Sequence, residues 1–155
     1  MSIKQPPDPP KDGNEIDLGR LGTSFGFVMR MAQVEVFETF FENLSQYGLK
    51  PGEFSVLWLL HENPGIRQGA LANRLRIKRP HMTKLIQHFE ERGLIIRSVP
   101  DNDRRGMELR LTGKGRRFVD DRQEAFFTHT EHELDRLSDE EAKQLIRLLR
   151  KYLQL

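Results

Sequence analysis

Apolar side chains along this chain recur with two periods, and the expected element changes where the period does. Leu18, Leu21, Phe25, Met29, Ala32, Val36, Phe40 and Leu44 fall three or four residues apart, which predicts a long helix over about residues 17–47. Phe27, Val34 and Phe41 form a second line and widen the apolar surface beyond what one neighbour requires, so a further burial partner, a second subunit, is expected. Gly48 and Pro51 end this helix. A short one over residues 52–63 follows, with Phe54, Leu57, Trp58 and Leu60 as its apolar set and Asn63-Pro64-Gly65 closing it.

In the next segment Ala70, Leu71 and Leu75 can face inward. After a break at residues 76–78, Pro80 opens another helix, where its missing N–H costs nothing. Met82, Leu85, Ile86 and Phe89 then follow at i, i+3, i+4 and i+7, so that face is the buried one and the pair reads as a helix-turn-helix. The opposite face presents His81, Lys84, Gln87 and His88, with Lys78, Arg79 and Thr83 grouped at its start.

Past Gly93 the period drops to two. LIIRSV reads as a strand, and MELRLT alternates Met107, Leu109 and Leu111 with Glu108 and Arg110. Between them lies the polar tip of residues 100–106, a wing whose Arg104 or Arg105 suits a narrow minor groove because guanidinium is weakly hydrated and always charged. Asp103, two residues before Arg105, can hold that guanidinium. Thr112 starts a helix over about residues 113–137, carrying Phe118, Val119, Arg122 and Phe126. The capping box Ser138 to Glu141 opens the last helix, with Ala142, Leu145, Ile146, Leu149, Tyr152 and Leu153 as a regular apolar face. The fold class is mainly α with a small β wing: a winged helix-turn-helix module over residues 52–112, flanked by dimerisation helices over 16–48 and 113–155.

Charge sharpens this picture. The formal net charge is only +2, yet residues 65–117 hold 14 Lys plus Arg against 5 Asp plus Glu, leaving 11 basic and 18 acidic residues for the remainder. Positive charge gathered in a third of the chain is an electrostatic footprint that attracts phosphate backbones. Residues 1–15 hold four of the eight prolines and almost no apolar side chain, which predicts a flexible tail before a single domain over 16–155. With 155 residues and 37% of them apolar, the chain can bury one core. The absence of cysteine excludes disulfides, thiolate metal sites and thiol redox sensing. No apolar run reaches the roughly 20 residues of a membrane span and no signal-peptide stretch is visible, so a cytoplasmic protein without a membrane partner is expected.

The run from Leu49 to Val119 resembles the winged helix-turn-helix core of the MarR family of transcriptional regulators, most specifically ERGLIIR leading to DNDRRG and then LRLTGKG. The flanking helices fit that family's dimerisation region by order and length. The resemblance implies a homodimer on an inverted-repeat, palindromic operator in double-stranded DNA, with repression as the default outcome. Asp103 and Arg105 then match the family's wing pair, and Pro80, His81, Thr83 and Lys84 its major-groove contacts; Pro80 and His81 depart from the small hydroxyl residues common there. The DNA-contacting set is therefore Lys78, Arg79, Pro80, His81, Thr83, Lys84, Asp103, Arg104 and Arg105. Arg97, Arg110, Arg116 and Arg117 rank below Lys84 and Arg105, since solvated or backbone-contacting roles suit them equally.

Members of that family bind small aromatic or other anionic compounds in a cleft between dimer region and reading module. Phe25, Phe27, Met29, Arg30, Gln33, Phe37, Trp58 and His61 are the candidates for such a cleft, with five of ten phenylalanines lying between residues 25 and 41. Rings plus one arginine suit a phenolic acid or an aromatic acyl-coenzyme A. The plainer reading of these residues is core and dimer packing, with Arg30 paired to Glu35 or Glu38.

Other functions have less to stand on. His129 and His132, three residues apart, could serve a metal-responsive regulator, but no HExxH pair exists. No GxSxG elbow or phosphate-binding loop is present, so neither an enzyme nor a cofactor is expected. A winged helix used only for protein contacts would leave the tip arginines idle.

Overall fold

The computed structural model describes residues 16–48, 50–99 and 107–155; the proline-rich segment 1–15 and the wing tip 100–106 lie outside the described residues. The chain parts into two compact units, the first ending at Glu35 and the second running Val36–Leu155.

The expected helix over 17–47 is corrected. Residues Gly19–Thr23 form a 3-10 turn, Ser24 is extended, and the α-helix α1 runs only Phe25–Leu44 before a second 3-10 turn at Ser45–Tyr47. The cause is local: Gly19 sits at φ +49° and the Asp17 carboxylate accepts its N–H at 2.8 Å, so the chain closes a tight turn where the apolar spacing suggested an unbroken helix. Of the expected stripe, Phe40 and Leu44 are buried, whereas Phe25, Met29 and Leu21 stay exposed.

In the second unit α2 (Glu53–Glu62), α3 (Gln68–Arg74) and α4 (Arg79–Glu91) follow the expected order, then strands β2 (Ile95–Ser98) and β3 (Glu108–Leu111), and the helices α5 (Gly113–His132) and α6 (Asp139–Leu153). One strand was not legible. The two residues of β1, Ile66–Arg67, pair antiparallel with β3, giving a three-stranded sheet in the order β1-β3-β2. Two residues are too few to show alternation, and β1 exists only because β3 offers it a free edge.

The register Ile95↔Leu111, Ile96↔Arg110, Arg97↔Leu109 and Ser98↔Glu108 turns Ile95, Leu109 and Leu111 into the core. Met107, expected inward with them, is 40% exposed, because it precedes the paired stretch. The core is made by Phe54, Val56, Leu57 and Leu60 of α2, Leu71 of α3, Met82, Ile86 and Phe89 of α4, and Val119 of α5.

Helix α5 begins as expected and ends early, at His132 rather than Leu137. The Thr112 hydroxyl accepts the Gly115 N–H at 2.9 Å and donates to the Gly93 carbonyl at 2.7 Å, so one side chain caps α5 and ties it to the end of α4. At the far end, turn bonds from Asp135 to His132 and from Leu137 to Leu134 replace helical ones, because Ser138 must be extended to cap α6. The expected capping box is present: the Glu141 carboxylate accepts the Ser138 N–H at 2.9 Å, and the Ser138 hydroxyl accepts the Glu141 N–H. Helix α6 buries none of its residues; Ile146 is 48% and Tyr152 66% exposed.

Candidate nucleic-acid interface

Helix α4 divides cleanly. Met82, Ile86 and Phe89 are wholly inaccessible, while Arg79, Pro80, His81, Thr83, Lys84 and Gln87 are exposed, as is Lys78 at the N-cap. The three- and four-residue spacing of the buried positions puts the two sets on opposite faces, and the core side locks the rotation of the other. The first turn of α4 has Pro80 near its start and no acidic residue, and the Lys78 side chain at the N-cap makes no capping bond. Lys78 and Arg79 thus stand at the positive end of the helix macrodipole, which costs helix stability and favours an anion docking there.

Thr83 is more constrained than its exposure suggests. Its hydroxyl donates to the Arg79 carbonyl at 3.0 Å and accepts the Gln68 amide N–H at 3.1 Å. With its proton on the Arg79 carbonyl, Thr83 is placed to accept from a base amino group rather than to donate to a phosphate. Gln68, which sequence reasoning passed over, is the first residue of α3 and joins the two helices at the exposed face; only the fold brings positions fifteen apart together there. A hollow of about 440 Å³ beside this joint is lined by Arg67, Gln68, Arg79, Thr83 and Met107.

The other basic residues sort by their partners. Arg97 reaches back to Glu90 of α4 at 2.8 Å, and Arg110 pairs with Glu108 at 3.3 Å on the outer face of the sheet. Lys114 donates to the Arg92 carbonyl at 2.7 Å. Arg122, read as part of the α5 stripe, lies 3.9 Å from the Phe118 ring centre and donates through Nε to the Tyr47 carbonyl at 2.8 Å, which makes it a strap. Asp103, Arg104 and Arg105 fall in the segment outside the described residues.

The aromatic candidates separate in a similar way. Phe25, Phe27, Met29, Arg30 and Gln33 lie on the first part of α1, in the first unit; Phe37, Trp58 and His61 belong to the second. Arg30 points its Nη1 at the Met31 sulfur, 3.8 Å away. Trp58 stacks on His61 with ring centres 5.4 Å apart, and Phe127 meets Trp58 edge-on at 4.8 Å. Phe54 packs against Phe126 at 4.3 Å. The adjacent pair Phe126 and Phe127 was the missing signal: neighbours on a helix diverge by about 100°, so one apolar stripe does not account for both. His61 is held on its other side by Asp120, 3.3 Å from Nε2.

His129 and His132 do not converge. His129 is buried edge-on to Phe40 with Glu133 at 3.5 Å, whereas the exposed His132 bonds Asp135 at 2.9 Å. Among the described residues no group of three His, Asp or Glu could hold a metal ion. Nor is any helix of those residues long and apolar enough to cross a membrane.

A helix-turn-helix with its second helix half buried and half basic, beside a three-stranded antiparallel sheet, defines a winged-helix regulator of transcription. The MarR family model matches residues 49–107. A transcriptional regulatory protein assigned to the hcr operon of Thauera aromatica is 31% identical over 138 residues, 88% of this chain and 83% of that protein. Among solved structures, the transcriptional repressor CouR bound to a 23-mer DNA duplex superposes with a TM-score of 0.80 at 32% identity, covering 92% of this chain and 100% of that one. CouR bound to p-coumaroyl-CoA gives 0.79 at 31% identity over 90% and 98% of the two chains. This chain belongs to the MarR family of transcriptional regulators, which are not enzymes.

Proposed function

We propose that two copies of this chain act in the cytoplasm as a repressor on an inverted-repeat operator and leave it when an aromatic acid or its coenzyme A thioester binds. The observation that carries the reading is α4, wholly buried along Met82, Ile86 and Phe89 and basic and exposed along Lys78, Arg79, His81 and Lys84. A helix held this way can enter a major groove with its first turn against the backbone, where Lys78 and Arg79 meet phosphate and His81, Thr83 and Lys84 reach base edges. Pro80 presents a flat apolar surface suited to a thymine methyl. Asp103, Arg104 and Arg105 are assigned to the wing contact in the adjacent minor groove.

The exposed apolar line of α6 suits a second copy as its cover. For the effector, likeness to CouR in its p-coumaroyl-CoA complex supports an aromatic acyl thioester. Phe25, Phe27, Met29, Arg30, Gln33, Phe37, Trp58 and His61 are the residues proposed to receive it, with Phe126 and Phe127 added to the set. Rings accept the aromatic acyl group and Arg30 an anionic end.

The deciding experiment is fluorescence anisotropy on duplex DNA from upstream of the protein's own gene, repeated with phenolic acids and with their coenzyme A thioesters. Nanomolar binding that a phenolic compound weakens at least tenfold is the expected result. Binding no tighter than to scrambled duplex removes the operator, and an unchanged dissociation constant across the panel removes the effector.

A further inference from the structure

Among the described residues two that are not glycine adopt positive φ, Arg76 at +53° and Gln154 at +57°. Arg76 forms the turn between α3 and α4, and Gln154 caps the end of α6. An arginine in the left-handed region is strained, and such strain persists only where the surroundings over-determine it. Here the backbone is pinned on both sides: the Arg76 N–H reaches the Asn73 carbonyl at 3.2 Å, and the Ile77 N–H the Ala72 carbonyl at 2.9 Å. Glycine would meet that backbone without strain, so what arginine adds is its side chain.

The side chain spans 77 residues of sequence. Its Nη2 donates to the Leu153 carbonyl at 2.8 Å. Leu153 is the last residue of α6, so its carbonyl is among those left without a helical partner, at the negative end of the macrodipole. A cation there is favoured twice over, by the bond and by the dipole. Within one copy α6 buries none of its own residues, so this bond joins to the helix-turn-helix a helix that the packing of its own chain holds only lightly. The turn it grips lies two residues ahead of Lys78, where α4 begins.

We propose that Arg76 is a positioning residue: it ties the C-terminal end of α6 to the turn before α4, sets the angle at which α4 meets DNA, and passes a displacement of α6 to that helix. The proposal rests on the reading of α4 as the DNA-contacting element. It predicts that the guanidinium matters for binding although it need not touch DNA.

The test compares full-length protein with the Arg76→Gly and Arg76→Lys variants. Hydrogen exchange is read at the Gln154 and Leu155 amides, which bond the Lys151 and Arg150 carbonyls at 3.3 and 3.0 Å. Operator affinity is read across a salt series. Arg76→Gly relieves the backbone strain, so its melting temperature should hold or rise; its two terminal amides should exchange faster, and its operator dissociation constant should grow roughly threefold to tenfold. The slope of log affinity against log salt should not change, and Arg76→Lys should recover part of both losses. Unchanged exchange in Arg76→Gly overturns the proposal. So does weaker binding whose salt slope drops by about 0.9, since that is the loss of one phosphate contact. If the parent itself ignores the operator, the regulatory reading and this role fall together, while the exchange comparison separately reports whether the bond exists.

Discussion

Gly115 stands so close to Leu94 that a Cβ added to it would overlap the Leu94 carbonyl oxygen and lie 2.9 Å from the carbonyl carbon. The obstacle is backbone, in the short link between α4 and β2, and that link is also gripped by the Thr112 N–H, which donates to the same oxygen at 3.0 Å. Gly115→Ala must therefore push the first turn of α5 away from the sheet. The expected cost is about 3 kcal/mol, the upper end for overpacking. Urea denaturation with an unchanged slope checks it; a loss below about 1 kcal/mol would show that α5 can shift without consequence.

The exposed face of α4 makes a prediction that separates two kinds of contact. Lys78→Ala and Arg79→Ala should weaken binding to operator and scrambled duplex alike and lower the salt slope by about 0.9 each. Lys84→Ala and His81→Ala should cost roughly 1 to 3 kcal/mol on the operator while leaving non-specific binding nearly intact. Anisotropy titrations on both duplexes at several salt concentrations distinguish the groups. Equal losses for all four would mean that α4 lies along the backbone rather than in the groove.

Burial raises the Glu133 carboxyl above its ordinary value of 4.5, outweighing the pull of His129 in the other direction. The folded state thus keeps this proton to higher pH than the unfolded state does. Stability contributed here is full below pH 4.5 and declines as the pH climbs from there through the raised folded value. Glu133→Gln removes that decline, so it should match the parent at low pH and melt at a higher temperature at pH 7. Scanning calorimetry at the two pH values reads the difference, and a variant that loses stability only at pH 7 would contradict the assignment.

At the start of α6, hydrogen bonds from the Ser138 backbone and then its hydroxyl hold the Glu141 carboxyl below the usual range. That contribution is present above the ordinary carboxylate pKa and is lost as the pH falls through the depressed one. Ser138→Ala breaks half of the box and should lower the melting temperature by a few degrees at neutral pH, with a smaller difference at pH 3. Circular dichroism melts at both pH values are sufficient.

Much of this architecture was written locally. The four- and then three-residue spacing of Met82, Ile86 and Phe89 determined the buried face of α4 and, by exclusion, the basic one, because helical geometry leaves no freedom once one face is apolar. Ser138 and Glu141 declared the start of α6 for the same reason: the cap is a contact between residues three apart. What the chain could not announce was every feature whose cause lies far along it. Strand β1 needs the edge of β3, Gly115 needs the Leu94 carbonyl, Thr83 needs Gln68, and the left-handed Arg76 meets Leu153 only after the whole second unit has closed. Periodicity reports which side of an element avoids water, whereas a hydrogen bond between distant segments depends on where packing brings their ends, and that is decided only in three dimensions.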